Sequence, residues 1–378
     1  MRILVFLHSF EPGGVERVAL RLCKAWVDRG ADVHLVLGRA DGAMRCEADG
    51  LTYEILANDK IATAHWETLW MILRLPGVIR RTRPDVIFCA GNSYSIVSVM
   101  MKLLLGRKCP PIVAKISNDL ERADFPLPVR WLYHCWLRIQ AHYIDRFVGM
   151  APPMRAEIAG ATGLAADRVS IVDDPALSMA DIHRFSKPRT QSQQRHRFIT
   201  AGRLAPQKNY ALLLRAFAKI ARDDDSLTLL GDGPERPKLE KLATDLGITD
   251  RTIFAGHVTD LAPWFAKADI FALSSDYEGV PAVIIEALAA GLAIVTTDSS
   301  VSMRDMLRGG RYGSIVETRD LDGFARALDH IRSVALDTRG MRSQAERFTV
   351  EKGGPRYLEI FTKTVDGSVR LTSTPKER

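Results

Sequence analysis

Residues 269–297 constrain the fold of this chain more than any other stretch. Asp269-Ile270-Phe271-Ala272-Leu273 reads as a short buried strand, and Ala293-Ile294-Val295-Thr296-Thr297 as a second. One helix fits between them. Pro281 suits its first position, where no N–H is needed, and Gly291 suits its end. The result is a βαβ unit with parallel strands, and the loop 274–281 lies at the carboxyl end of the first strand. In open parallel sheets, that edge is where ligands bind.

Two carboxylates sit in this unit. Glu286 lies in a helix that is otherwise Ala, Val, Ile and Leu on every side, the pattern of a buried helix. A carboxylate there needs a hydrogen-bonding partner or a cation. A structural ion pair with an arginine and a ligand hydroxyl would each meet that need. Glu278, in the loop before the helix, reads by itself as a favourable charge near a helix N-terminus.

The same alternation of strand and helix fills the rest of the chain. Strands are expected at 3–8, 32–37, 85–89, 112–116, 145–149 and 168–172, with helices at 15–29, 66–82, 93–105, 129–142 and 152–161. Around residues 186–195 the chain turns polar and loses periodicity, which marks a linker. A second series follows, with strands at 197–201, 226–230 and 252–255 leading into the opening stretch. At 378 residues, two domains are expected: 1–185 and 196–346. Residues 347–378 are expected to form a last helix and tail packing back on the first domain, docked by Tyr357, Ile360 and Phe361.

Composition excludes several classes. A hydrophobic fraction of 47% supports full cores, and 26% charged residues with ordinary glycine and proline content argues against disorder. The five cysteines form no CxxC pair and lie in the first half, as free thiols in a reducing cytoplasm would. The apolar run at the start is too short for a signal peptide, and no run of 18 apolar residues exists to cross a membrane. The net charge of +7 is concentrated: residues 68–115 hold eight cations against Asp85 alone. Such a patch suits lipid headgroups, a phosphorylated substrate or nucleic acid. No nucleic-acid recognition motif is visible. Trp66, Leu69, Trp70 and Leu73 share one helical face, and Trp131, Cys135 and Ile139 another. These faces fit either core packing or an interfacial surface at headgroup depth.

Several loops carry the residue types of phosphate chemistry. Gly13-Gly14 follows the first strand and opens a helix, where backbone N–H groups bind anions. Gly202-Arg203-Leu204 with Lys208 occupies the equivalent loop of the second domain. Cations before a helix N-terminus are unfavourable unless an anion sits between them, and a diphosphate meets that need. Gly231-Asp232-Gly233-Pro234 lacks the third glycine of a dinucleotide fingerprint, and there is no GxxxxGK[ST]. Asp223-Asp224-Asp225 contains a DxD but precedes its strand, so it reads as a solvated turn and not as a metal site.

Taken together, these segments resemble the retaining glycosyltransferases of family 4. Gly13-Gly14-Val15-Glu16-Arg17, Gly202-Arg203-Leu204 with Lys208, Gly231-Asp232-Gly233-Pro234, and Glu278-Gly279-Val280-Pro281 with Glu286 follow one another in that family's order. The resemblance implies an α/β architecture of the GT-B type, with two Rossmann-like parallel-sheet domains facing an interdomain cleft. It implies a metal-independent hexosyltransferase without cofactor, with a nucleoside diphosphate sugar as donor. Arg203 and Lys208 would hold the diphosphate and offset charge on the leaving group. Glu278 would contact the transferred sugar, Glu286 the ribose, and Gly13, Gly14, Gly202, Val258, Gly279 and Val280 would line the donor. The loop after the strand at 112–116 departs from the His or Asp-rich pattern of many relatives. It reads Lys115-Ile116-Ser117-Asn118-Asp119, and Asp119 is the candidate acceptor residue. The expected acceptor is lipid-linked or a polysaccharide precursor, handled by a cytoplasmic enzyme held on the inner face of the membrane through the basic first domain. A nucleotide-sugar epimerase of the same fold and a non-catalytic sugar-nucleotide or membrane-binding module are the competing readings.

Overall fold

The computed structural model describes residues 1–11, 13–57, 66–117, 120, 126–186 and 196–373. The chain divides into two compact units, Met1–Ala176 with Val350–Arg378, and Leu177–Thr349. The first unit runs β1 (Arg2–Leu7), α1 (Gly14–Val27), β2 (Asp32–Leu37), β3 (Tyr53–Ile55), α2 (Glu67–Thr82), β4 (Val86–Cys89) and α3 (Ser95–Leu105). It continues with β5 (Ile112–Lys115), α4 (Leu127–Tyr143), β6 (Arg146–Gly149), α5 (Met154–Thr162) and β7 (Val169–Ile171). The second unit runs α6 (Met179–Phe185), β8 (Arg197–Ala201), α7 (Tyr210–Ile220), β9 (Ser226–Leu230), α8 (Arg236–Asp245), β10 (Thr252–Gly256), α9 (Ala262–Phe265) and β11 (Ile270–Leu273). Then come α10 (Ala282–Ala290), β12 (Ala293–Thr297), α11 (Met303–Met306), β13 (Ser314–Val316), α12 (Leu321–His330) and α13 (Thr338–Ala345). The last helix, α14 (Val350–Ser373), belongs to the first unit.

Each unit is built on a parallel sheet. The strand orders are β3-β2-β1-β4-β5-β6-β7 and β10-β9-β8-β11-β12-β13. The strands are continuous apolar runs because helices cover both faces; Ile3 to Leu7 and Ile270 to Leu273 are buried throughout. Both orders reverse direction once, between β1 and β4 in the first sheet and between β8 and β11 in the second. Connections leave such a point in opposite directions, and a crevice opens there at the carboxyl edge. Both sheets therefore have the doubly wound, Rossmann-like order.

The expected elements form as read, and β3, β13 and the helices α6, α11, α12 and α13 are additional to them. The strands β3 and β13 have three residues each. Of the expected linker at 186–195, residues 187–195 lie outside the described residues. Residues 177–185, placed in the first domain on sequence, pack in the second unit: Ile182 and Phe185 are buried, and the Phe185 ring lies 5.7 Å from that of Phe265.

In the first unit, α14 lies along α1. Tyr357 and Phe361 are fully buried against Trp26, at ring distances of 6.0 and 5.1 Å, and the Trp26 indole N–H donates to the Gly354 carbonyl at 3.1 Å. The two tryptophan-bearing helices behave differently. On α2, the core face is Met71, Ile72, Leu75, Val78 and Ile79, while Trp66, Leu69 and Leu73 point outward. On α4, Trp131 is 66% exposed and Leu132 60%. Leu103 and Leu104 of the adjacent α3 are also exposed. These faces are surface, not core.

Candidate active site

The second unit brings its motif loops together at the carboxyl edge of the sheet, on either side of the β8/β11 switch point. After β8, the chain is pinned at Leu204, whose N–H donates to the Asp232 carbonyl at 2.9 Å and whose carbonyl accepts from Glu235 N–H at 3.0 Å. Glycine is required at two of these positions. Gly231 has φ +136°, and a Cβ there would lie 2.0 Å from the Gly202 carbonyl oxygen; at Gly233 a Cβ would lie 2.4 Å from the Leu204 carbonyl oxygen. The Gly231-Asp232-Gly233 turn is thus a buttress that sets the Gly202–Leu204 backbone. Arg203, next to this anchor, is exposed and forms no ion pair among the described residues.

Further along the same loop, Lys208 reaches across to the β11 loop. Its Nζ lies 2.5 Å from Oε1 of Glu278, and the two side chains are only 18% and 9% exposed. Ser275 Oγ donates to the same carboxylate oxygen at 2.6 Å, and the Glu278 N–H donates to the Ser299 carbonyl at 2.6 Å. A second layer locks the two loops in register. Gln207 Nε2 donates to the Tyr277 carbonyl at 2.8 Å, and the Asp276 N–H to the Gln207 carbonyl at 2.9 Å. Asn209 caps α7 and also donates to Asp276 Oδ1 at 2.9 Å. The hydroxyls of Thr297 and Ser300, from the β12 end, hold the Ser275 and Gly279 carbonyls.

The remaining donor candidates sit on the same frame. Gly279 and Val280 are half-buried in the β11 loop, and Pro281 precedes the first residue of α10. Glu286 is buried on α10, amid Ile284, Ile285, Ala287 and Leu288. Val258 follows β10, two strands from β8 at the same edge. Beneath the loop, Tyr210 is buried with its hydroxyl 2.9 Å from where a Gly202 Cβ would lie; burial, then the nearby Glu278 charge, pushes its phenol well above the ordinary value.

Sequence reasoning missed the supporting polar shell of Gln207, Asn209, Ser275, Asp276 and Ser300. Asn209, immediately before a helix, carried a cap signal. The serines carried none.

At the opposite, amino edge of this sheet, a cavity of about 740 Å³ is lined by His196, Lys219, Arg222, Asp329 and Arg332. Its charges satisfy one another, with Lys219–Asp322 at 2.5 Å and Arg222–Asp329 at 3.3 Å. Asp225, last of the acidic run, accepts from the N–H groups of His196 and Arg222 and pairs with Arg332 at 2.8 Å. It is a structural carboxylate. Among the described residues, no group of three His, Cys, Asp or Glu is arranged to hold a metal ion.

In the first unit, Gly13 precedes α1 in extended conformation, and Gly14 opens the helix with no atom within 4 Å of where a Cβ would lie. The Gly13 side-chain space is different. The Glu16 carboxylate fills it, with Oε2 2.0 Å from the position of a Cβ. Asp119 lies outside the described residues.

Comparison with known proteins agrees with this geometry. Residues 12–174 match the model of Glycosyltransferase Family 4, and residues 195–333 that of Glycosyl transferases group 1. The lipopolysaccharide core biosynthesis glycosyltransferase LpsE of Rhizobium meliloti is 36% identical over 94% of this chain and 97% of its own length. This chain belongs to the family 4 glycosyltransferases. A second protein of that organism, the lipopolysaccharide core biosynthesis glycosyltransferase LpsD, is 23% identical over 96% of the chain. Among solved structures, the apo lipopolysaccharide outer core galactosyltransferase WaaB covers 98% of this glycosyltransferase at TM-score 0.72 and 19% identity. Anabaena Alr3699/HepE in complex with UDP covers 96% at TM-score 0.77 and 19% identity. Both share the GT-B fold. The chain is accordingly an enzyme, a glycosyltransferase.

Proposed function

We propose that this glycosyltransferase moves a hexose, with retention and without metal, from a nucleoside diphosphate sugar to a lipid-linked saccharide or polysaccharide precursor. The observation that carries the donor reading is the pairing of Lys208 with Glu278 beside the exposed Arg203, at the carboxyl edge of the second sheet. A diphosphate arriving there takes Lys208 and Arg203 as its counter-charges. Glu278 is then released to accept hydroxyl hydrogen bonds from the sugar. The Gly279 and Val280 backbone and Gly202 line the same donor, Glu286 takes the ribose hydroxyls, and the base lies near Val258. Gly13 and Gly14 remain donor candidates on the first unit, where Gly14 opens α1 with no atom within 4 Å of where a Cβ would lie. Charge developing on the departing diphosphate is met by fixed cations. Binding of UDP by HepE and the lipopolysaccharide roles named for LpsE and LpsD support the substrate classes.

We also infer a cytoplasmic enzyme held at an anionic membrane surface by the first unit. The exposed apolar residues of α3 and α4, with Arg107, Lys108 and Arg138 exposed around them, support this reading. Among the described residues, no helix is long and apolar enough to cross a membrane.

The experiment is a panel of UDP-, GDP- and ADP-sugars assayed for nucleotide release with and without saccharide acceptors. Anomeric configuration of the product, read by NMR, reports retention. Turnover of no nucleotide sugar, or unchanged turnover in Glu278→Ala, overturns the donor reading. Sugar interconversion without acceptor identifies an epimerase instead.

A further inference from the structure

A second polar cluster lies at the carboxyl edge of the first sheet, at the switch point between β1 and β4. Tyr94, fully buried just after β4, donates its hydroxyl to Oε1 of Glu16 at 2.6 Å. The His8 backbone N–H reaches the same Tyr94 oxygen at 3.4 Å, and the two rings lie 4.7 Å apart. Oε2 of Glu16 forms no hydrogen bond among the described residues; it lies over Gly13, 2.0 Å from where a Cβ would stand, on a half-buried side chain.

A glutamate in the first turn of a helix ordinarily serves that helix, turning back to cap it. Here the Glu16 carboxylate turns back over the N-cap residue Gly13, but its hydrogen bond runs to a residue 78 positions away. Burial first, and then the Glu16 charge, raises the Tyr94 phenol well above its ordinary range. The hydroxyl therefore stays protonated and always donates to Glu16. Burial lowers the His8 imidazole. A neutral imidazole supplies no counter-charge of its own to Glu16. The result is a half-buried carboxylate with one oxygen fixed by Tyr94 and the other without a hydrogen bond among the described residues, at the position where parallel sheets bind ligands. Such a group repels a diphosphate and accepts a hydroxyl hydrogen bond.

We propose that Glu16, aimed by Tyr94 as its positioning residue, binds a hydroxyl of the saccharide acceptor on the first unit. This rests on the reading of the acceptor as a saccharide. Gly13 makes room for this carboxylate, since a Cβ there would meet it at 2.0 Å.

The test uses the full chain with octyl glucoside, galactoside and mannoside as probes, their binding measured by saturation-transfer NMR. UDP and GDP binding is measured in parallel by calorimetry. Wild type is expected to bind at least one glycoside. Glu16→Ala, Glu16→Gln and Tyr94→Phe should weaken that binding about tenfold, as expected for a hydrogen bond to a charged group, with nucleotide affinity unchanged and the fold retained by circular dichroism. Equal glycoside affinity in all four proteins overturns the proposal. So does failure of wild type to bind any of the glycosides, or a loss of nucleotide affinity in the Glu16 variants. The donor reading fails by a different sign: Lys208→Ala retaining full turnover, with the Glu16 result unaffected.

Discussion

Lys208 and Glu278 are 70 positions apart in the chain and meet at 2.5 Å across the switch point of the second sheet. The pair is largely buried, so removing one partner strands the other. Lys208→Ala should cost about 3 kcal/mol of unfolding free energy, the range for a broken buried pair. Glu278→Gln keeps the shape and should cost less. In a double-mutant cycle, the two changes should be strongly non-additive, because each alone already breaks the contact. On turnover, each single variant should lower kcat by roughly 100- to 1,000-fold, as loss of one oriented charge at a reacting centre does. Chemical denaturation and nucleotide-release kinetics on the same four proteins check both claims.

The glycines divide into two kinds, and substitution should tell them apart. A methyl at Gly231 would collide with the Gly202 carbonyl at φ +136°. Gly231→Ala should therefore destabilise the second unit by about 2–3 kcal/mol and distort the loop that carries Arg203 and Lys208. A methyl at Gly14 meets nothing within 4 Å. Gly14→Ala should keep the wild-type melting temperature. As a donor candidate, it should raise the KM for donor several-fold. An unchanged donor KM removes Gly14 from the donor site.

Much of this was legible before any coordinates. The two sheets followed from apolar runs too short for helices and separated by amphipathic stretches, because parallel strands must be apolar on both faces. The carboxyl-edge placement of Arg203, Lys208 and Glu278 followed from the same order. What periodicity could not carry is pairing. Nothing in the spacing says that Lys208 meets Glu278 or that Asp276 is held by Asn209, since these contacts join loops far apart in the chain. Tyr94 was equally silent: an aromatic residue after a strand reads as core, and only its hydroxyl on Glu16 gives it a further role. The tryptophan faces were ambiguous for a physical reason. An amphipathic helix has one apolar stripe, but α2 carries two, and the stripe led by Met71 takes the core.

Asp225 provides a stability prediction with a defined sign. Burial pushes its carboxyl up, but the amide donors of Arg222 and His196 and the Arg332 guanidinium outweigh that and hold it below the usual carboxylate value. A carboxylate with a depressed folded-state pKa contributes stability that is present above its unfolded pKa. That stability is lost as pH falls through the folded one. Asp225→Asn should therefore be less stable than wild type by about 3 kcal/mol at neutral pH. The gap should narrow as pH is lowered below about 4, where the wild-type carboxylate begins to take up its proton. Urea unfolding of both proteins at several pH values measures it. A gap that stays constant down to the acid limit means that the Arg332 pairing contributes nothing.

The surface of the first unit makes the membrane reading testable in parts. Trp131, Leu132, Leu103 and Leu104 supply exposed apolar area, and Arg107 and Lys108 supply charge at the end of α3. The two contributions respond differently to conditions. Charge attraction to an anionic leaflet is worth about 1 kcal/mol per cation and fades with salt. Apolar insertion does not fade. Arg107→Glu with Lys108→Glu should thus weaken sedimentation with phosphatidylglycerol vesicles by roughly 30-fold or more at low salt, and by much less at moderate salt. Trp131→Ser with Leu132→Ser should weaken it by a similar factor at both. Neither pair should alter the kcat for a soluble glycoside acceptor, because α4 and the end of α3 carry none of the donor or acceptor residues assigned above. If wild type sediments with neither anionic nor neutral vesicles at either salt, these side chains have another partner or none.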